Sequence, residues 1–423
     1  MGPSHIWWSY PSACTSPLQN RHIIGRDACC NTVLLGNEIS RKHGEIQIDG
    51  PLITLVDLDS RNGTFVNGQR ITRAVLRSHD IVRCGEWIGV VDSVIDTLGF
   101  REISPDWFGG SRLSEAIGPA TRIQSELAII IQGETGTGKE GAAQAIHRWS
   151  NRRGSFVAVN CAALPEQLAE SALFGHKKGA FSGAEKASLG LFRAAEGGTL
   201  FLDEILELPR SIQAKLLRAI EQREVLPLGE TQPVPVDVRI VTATQESLST
   251  AVKDDRFRAD LLARLDGLTV VLPPLRERRE DIIPLFLQFI RQQASSPVPS
   301  LDAKLAESLC IYDWPLNVRE LAILTRRLLD LHGQATTLKR SHLPDRMQSI
   351  SQSPSKVMGE ETVTRPKQST KDDEQFEALV AALRDHEGNV AKAAAALGLN
   401  RHRAYRLLTA RPEFSRDKLG AKE

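Results

Sequence analysis

The sequence predicts a multidomain protein with three folds in series: an all-β sandwich, an α/β domain with a helical lid, and a small all-α module. Three observations carry this. Residues 21–95 hold short β-rich runs such as EIQI and LITLVDL, separated by DG, NG and SRNG turn signals. Over 104–346, apolar strands (AIIIQ, FVAVN, TLFLDEI, VRIVTATQ) alternate with helical stretches, the signature of a parallel sheet. A short helical pair with a glycine turn then occupies 373–412. A chain of 423 residues is too long for one ordinary core and accommodates about three.

The connecting segments read differently. Residues 1–20 mix Trp, Pro and Ser without periodicity and are expected to form a poorly ordered tail. Within the α/β domain the pattern turns helical from about 275 to 346, the expected lid. Residues 347–372 are rich in Ser, Lys, Thr, Glu and Gln and read as a linker.

Composition excludes some classes. Lys plus Arg (53) nearly cancels Asp plus Glu (52), so any nucleic-acid-binding surface has to be local. The six cysteines show no CxxC pair or other ligand spacing, which suits a reduced intracellular setting without a structural metal. MGPSHIWWSY lacks the basic start and apolar stretch of a signal peptide, and no apolar run is long enough for a membrane span. A cytoplasmic protein is expected.

The chemistry begins with GETGTGKE: Gly133, Glu134, Thr135, Gly136, Thr137, Gly138, Lys139 and Glu140. It follows an apolar strand and opens a helix, as a phosphate-binding loop must. Glycines let backbone N–H groups turn toward phosphate, the helix N-terminus adds positive potential, and Lys139 reaches the β and γ phosphates. Glu140 stands where a general P-loop has Ser or Thr. Downstream, GGTLFLDEI places Asp203 and Glu204 at the C-terminal edge of a buried strand. Adjacent strand carboxylates point to opposite faces. Asp203 is the candidate Mg²⁺ ligand accompanying ATP, and Glu204 the candidate base for the attacking water.

On these motifs, with FVAVNCAALPEQLAESALFGHKKGAFSGA, AKLLRAIEQREVLPLGE, RFRADLLARL, LPPLRERREDI and WPLNVREL, residues 106–345 resemble the central domain of bacterial enhancer-binding proteins. These are AAA+ ATPase activators of sigma-54 RNA polymerase, and Glu140 matches that branch. The resemblance implies that Asn160 switches the catalytic glutamate, and that Arg258 and Arg264 act in trans on a neighbour's nucleotide. A homo-oligomeric ring, a hexamer in the family, follows from that. Arg319 matches the lid arginine that senses nucleotide. Gln245 replaces the usual sensor asparagine, and Leu316 replaces a lid glycine. The loop Gly179, Ala180, Phe181, Ser182, Gly183 and Ala184 matches the polymerase-contacting element, with Ser182 where most relatives carry Thr. A second reading, a DNA-binding regulator with a degenerate contact loop, stays open on that residue.

Residues 21–90 resemble a forkhead-associated (FHA) domain, through IIGRD, EISRKHGEI, DLDSRNGTFVNGQ and LRSHDIVRCG. The resemblance implies phosphothreonine recognition: Arg26, Ser40 and Arg41 supply cationic and hydroxyl donors, and Arg61 and Asn62 position the peptide. The partner would be a Thr-phosphorylated protein or a Ser/Thr kinase. His43 reads as a loop-shaping residue. The final module, NVAKAAAALGLNRHRAYRLL, resembles a Fis-type helix-turn-helix. From Asn389 to Glu423, eight Lys/Arg face three Asp/Glu. Asn400, Arg401, His402, Arg403 and Arg406 are the candidate contacts to upstream enhancer DNA.

Overall fold

The computed structural model describes residues 4–92, 99–123, 126–293, 298–348 and the isolated positions 379, 382, 383 and 396. The chain divides into two compact units, Met1–Pro354 and Ser355–Glu423. Residues 349–372 of the expected linker and the candidate DNA contacts Asn400, Arg401, His402, Arg403 and Arg406 lie outside the described residues, while Met347 and Gln348 belong to the short helix Asp345–Gln348 and Met347 is buried against the lid.

The first domain is a two-sheet sandwich. One sheet runs in the order Cys14–Pro17, His5–Tyr10, Trp87–Asp92, Ile81–Cys84, Thr64–Val66, Gln69–Ile71. The other runs Thr32–Val33, His22–Gly25, Gly44–Asp49, Leu52–Asp57, Arg73–Val75. Residues 1–20 therefore correct the expected tail: within them, two strands belong to the sheet. The reason is visible in the side chains. Ile6 and Trp8 are fully buried, the Trp8 indole donates to Ser16 Oγ at 2.6 Å, and its ring meets Trp87 edge-on at 6.3 Å. HIWWSY is a core strand whose aromatic payload outweighs its irregular pattern.

The second domain is built on five parallel strands in the order Phe156–Asn160, Thr199–Asp203, Arg239–Thr244, Ile129–Gln132, Leu268–Val271. Helices cover both faces, as buried parallel strands require. One face buries Leu200, Leu202, Leu216 and Leu261; the other buries Ile129, Ile131, Phe201 and Val241. The order puts the ends of Ile129–Gln132 and Thr199–Asp203 on either side of Arg239–Thr244, so their loops open onto one edge. The lid consists of Ile282–Gln293, Ala303–Ile311, Asn317–His332 and the short Asp345–Gln348.

The sandwich is not a free module. Its strands Ile81–Cys84 and Trp87–Asp92 are buried on both faces. Val82, Cys84, Trp87 and Val91 fill the sandwich core, while Ile81, Ile88 and Val90 join the lid core with Ile283, Phe286, Leu305 and Leu309. Each such aliphatic side chain stabilises the contact by about 1.5–3 kcal/mol. Tyr10 donates its hydroxyl to the Leu301 carbonyl at 2.6 Å, and Arg83 pairs with Glu307 of the lid at 2.8 Å.

A buried charge cluster closes the same junction. Arg112 bonds Asp92 of the sandwich and the Glu277 carbonyl at 2.7 Å, and forms an ion pair with Glu280 at 3.3 Å. Burial, then the adjacent Asp281 carboxylate, push the Glu280 carboxyl above the usual range, against the pull of Arg112. The folded chain thus holds a proton there that the unfolded chain releases, so this group's contribution to stability falls as pH rises through neutrality. Glu280→Gln should flatten that decline between about pH 6 and pH 8. Urea midpoints at each pH check this, and parallel curves for the two proteins would contradict it.

Candidate functional site

The loop Gly133–Gly138 leads from the strand Ile129–Gln132 into the helix Lys139–Trp149. Gly136 and Gly138 have φ of 78° and 102°, conformations that favour glycine. A Cβ at Gly136 would lie 2.1 Å from the Leu316 carbonyl oxygen, so only glycine allows the lid this close. The first N–H groups of the helix have no intrahelical partner and open toward the loop, a ready anion seat. Lys139 is nearly buried, and its ammonium donates to the carbonyls of Gly133 at 2.8 Å and Glu134 at 3.1 Å. Burial lowers its pKa, while Asp203 and Glu204 oppose that shift.

Asp203 ends its strand half-buried. Burial raises its pKa, Lys139 lowers it, and Glu204 and Glu140 raise it further. Glu204 follows in a left-handed conformation, φ 52°, which costs of order 1–3 kcal/mol in a non-glycine residue. Its Oε1 accepts from Gln245 Nε2 at 3.2 Å. Asn160, expected to switch this glutamate, is bonded elsewhere in this arrangement. It lies beside Asp203 in the parallel register, but its Oδ1 accepts from the Ala162 N–H at 2.8 Å and caps the turn Cys161–Ala163. Gln245, one methylene longer than the family's asparagine, reaches the carboxylate instead.

Several loop residues are fixed from within. Thr137 donates its hydroxyl to the Glu134 carbonyl at 2.8 Å. Glu140 is exposed in the first turn of its helix, with Gln144 donating to it at 3.4 Å. Arg319 lies over the loop, its Cβ 3.0 Å from where a Gly136 Cβ would sit.

Sequence reasoning missed the lid clamp. Arg276 binds Glu134 with two bonds of 2.8 and 2.6 Å, a fork geometry suited to guanidinium. Asn317 donates to Glu134 at 3.2 Å and to the Thr135 carbonyl at 3.0 Å, while accepting from the Leu275 N–H at 2.7 Å. Arg278 is fully buried, donates to the Thr137 carbonyl at 3.1 Å and pairs with Asp281 at 3.5 Å. The stretches LPPLRERREDI and WPLNVREL carried the signal, but their partners lie about 140 to 180 positions upstream.

Arg258 and Arg264 sit away from this loop. Arg258 forms a fork with Asp260 at 3.0 and 2.6 Å, and Arg264 approaches the Ile220 carbonyl at 3.5 Å. Both side chains retain solvent access.

The segment Gly179–Ala184 forms a compact tip. Gly179 N–H donates to Ala184 at 2.8 Å and Ala184 N–H to Phe181 at 3.0 Å, with Gly179 and Gly183 at positive φ. Phe181 is 36% exposed and rests edge-on against His176 at 5.1 Å. His176 is fixed in turn by Ser171 Oγ at 2.7 Å and the Lys186 carbonyl at 2.9 Å. Ala180 sits above Gly229, and Lys177 N–H donates to Leu228, so the tip rises from a two-loop base. Ser182 is exposed, while Ala184 is buried.

On the sandwich, three loops converge. Arg26 N–H donates to Ser40 at 3.0 Å, Arg61 N–H to Ser40 Oγ at 3.0 Å, and Asn62 Nδ2 to the Glu38 carbonyl at 2.8 Å. Arg26, Arg41 and Arg61 are exposed around the half-buried Ser40. His43 is fully buried and shapes the loops: Nδ1 accepts from Ser40 N–H at 3.2 Å, which leaves Nε2–H to donate to Gly63 O at 3.4 Å. Burial lowers its pKa. It holds the neutral tautomer these bonds need.

Among the described residues no cluster of three or more His, Cys, Asp or Glu could hold a metal by itself. No described helix is long and apolar enough to cross a membrane. The six thiols are free.

Comparison with known proteins fits this geometry. Residues 111–271 match the sigma-54 interaction domain, 22–85 the FHA domain, 276–359 an AAA+ ATPase lid domain, and 372–403 the Fis family of bacterial regulatory proteins. The chain is 42% identical over 290 residues to the transcriptional activator RocR of Bacillus subtilis, covering 67% of this chain and 62% of that protein. It is 40% identical over 311 residues to the DNA-binding transcriptional regulator NtrC of Rhizobium meliloti, covering 67% and 64%. It is 46% identical over 225 residues to a putative uric acid sigma-54-dependent transcriptional regulator, UacR, of Escherichia coli, covering 52% and 38%. The chain thus spans less than two thirds of the length of these relatives. The structure of NtrX from Brucella abortus in complex with ATP superposes with a TM-score of 0.51 at 28% identity, covering 75% of this chain and 69% of that one.

Proposed function

Because the chain belongs to the family of sigma-54-dependent transcriptional regulators, we propose that it is an ATP-driven activator that remodels closed complexes of sigma-54 RNA polymerase. The single observation that carries the motor half is the gathering of Lys139, Asp203 and Glu204 at one sheet edge, clamped by lid residues Arg276, Arg278 and Asn317. ATP would lie along Gly133–Lys139, with Asp203 beside its Mg²⁺ and Arg319 over the loop. The bound ion supplies charge neutralisation at the phosphates. Glu204 would accept a proton from the attacking water, with Gln245 orienting its carboxylate. Arg258 and Arg264 complete a neighbour's site in a ring, where an always-charged guanidinium stabilises phosphoryl-transfer charge. The helix-turn-helix holds the ring on upstream DNA.

Phe181 and Ser182 form the contact to sigma-54. An exposed aromatic on a small tip is the kind of anchor that dominates an interface. Phe181→Ala should abolish promoter opening while leaving ATP hydrolysis within about twofold, since Phe181 touches no part of the nucleotide site. Ser182→Thr should raise opening by up to about fourfold, the worth of one buried methyl group. Permanganate footprinting alongside phosphate release checks both, and opening by Phe181→Ala at the parent rate would sink the contact role.

The FHA domain supplies the input. Arg26, Ser40 and Arg41 would hold a phosphothreonine, with Arg61 and Asn62 steering the flanking chain, in a phosphorylated protein or a Ser/Thr kinase. Arg41→Ala should weaken binding of phosphothreonine peptides about tenfold or more and leave unphosphorylated peptides unaffected, the loss of one charge-assisted bond at about 1.5–3 kcal/mol. Fluorescence anisotropy reads this directly; equal binding by the variant would remove Arg41 from the site.

A further inference from the structure

The strand Trp87–Asp92 has its two ends in two different sites. At its start, the Trp87 indole donates to the Leu35 carbonyl at 2.7 Å, in the loop that runs on to Ser40. At its end, Asp92 binds Arg112. Between them, Ile88 and Val90 are locked into the lid core. Six residues of strand span roughly 20 Å, so a displacement at the peptide loops is delivered to Arg112 by a rigid element rather than a tether.

From Arg112 the contacts continue without a gap. Arg112 reaches Glu280 at 3.3 Å, the next residue Asp281 pairs with Arg278 at 3.5 Å, and Arg278 donates to the Thr137 carbonyl at 3.1 Å. Glu280, Asp281 and Arg278 are buried, so water competes little for these contacts. Thr137 sits inside the phosphate loop, two residues before Lys139. Arg278 therefore holds the carbonyl that sets the loop's curvature, from within a cluster anchored on the sandwich.

We infer that Arg278 is a positioning residue for the phosphate loop, and that the chain Asp92, Arg112, Glu280, Asp281, Arg278 couples the phosphopeptide face to nucleotide binding. This rests on the proposed nucleotide and phosphopeptide sites and specifies how one regulates the other. By linkage, a peptide that alters nucleotide affinity is itself bound more or less tightly when nucleotide is present. Arg83–Glu307 joins the same two domains but ends on the helix Ala303–Ile311, which is not part of this route.

The test uses the full-length chain and a fluorescent ATP analogue with Mg²⁺. Arg278→Lys should weaken analogue binding about fivefold, raising the KM for ATP more than it changes kcat. Arg112→Met, which removes pairings to Asp92, Glu277 and Glu280 but no hydrogen bond to the loop, should weaken it about threefold, and the double variant should be no worse than Arg278→Lys alone. The apolar pair Arg83→Met/Glu307→Leu serves as the docking control and should leave nucleotide affinity unchanged. A pool of peptides carrying phosphothreonine between randomised positions should shift the parent's nucleotide affinity about fivefold and leave Arg112→Met unmoved. Additive effects of Arg112 and Arg278, an unaltered Arg112→Met, or equal weakening by the docking control would each overturn the coupling. No analogue binding by the parent itself would instead remove the nucleotide site, and the coupling with it.

Discussion

Lys139→Ala should lower ATP turnover by at least about a hundredfold, the cost of deleting one preorganised cationic donor from a phosphoryl-transfer site. The structure makes the effect steep. Lys139 is the positive charge facing both Asp203 and Glu204, and its ammonium already holds the loop through the carbonyls of Gly133 and Glu134. Without it, the two carboxylates face the triphosphate with less opposing charge, and two loop carbonyls lose their donor. The fold should survive, because the loop remains clamped by Arg276, Arg278 and Asn317. Turnover by Lys139→Ala within about threefold of the parent, at matched melting temperature, would contradict the motor.

Arg83→Ala is expected to have the largest effect on stability, about 3 kcal/mol or more. Arg83 and Glu307 are both buried, 2.8 Å apart, and the guanidinium also lies 3.6 Å over the Phe65 ring. Removing the arginine leaves Glu307 without its counter-charge in an apolar junction and empties the space above Phe65. Burial already pushes the Glu307 carboxyl up despite Arg83, so in the variant it is protonated more readily, which limits the loss to the lower end of that range. The apolar pair Arg83→Met/Glu307→Leu should recover most of it, since well-packed apolar side chains replace a buried ion pair at little cost. Urea unfolding of the three variants separates the cases. A loss below about 1 kcal/mol for Arg83→Ala would show that the pair is solvated in solution.

How much of this was legible depended on how local each signal is. The phosphate loop and the Asp203–Glu204 strand end each lie within a single short run, so strand, turn and helix order could be read directly. The two sheets of the sandwich were announced by their turns. The strands His5–Tyr10 and Cys14–Pro17 were not, because HIWWSY has apolar residues on successive positions and no flanking turn pattern, and its partner is the distant Trp87–Asp92. That partner, WIGVVD, is apolar on both faces, the one local hint that a second surface covers it. What covers it is the lid, more than 190 residues away, and no spacing rule reaches that far. The same distance hid the grip of Arg276 and Arg278 on the loop. Asn160 matched by position, and what its local backbone adds is a bond from the Ala162 N–H, while Gln245 donates to Glu204.

The most direct test of the central claim is promoter opening by sigma-54 polymerase on pre-bound upstream DNA, with the parent and with Glu204→Gln. Glu204→Gln keeps the shape of the site and the bond to Gln245 but cannot accept the water's proton. The account predicts open complexes with the parent and ATP, and none above background with Glu204→Gln although it still binds ATP. Equal opening by the two proteins would contradict it.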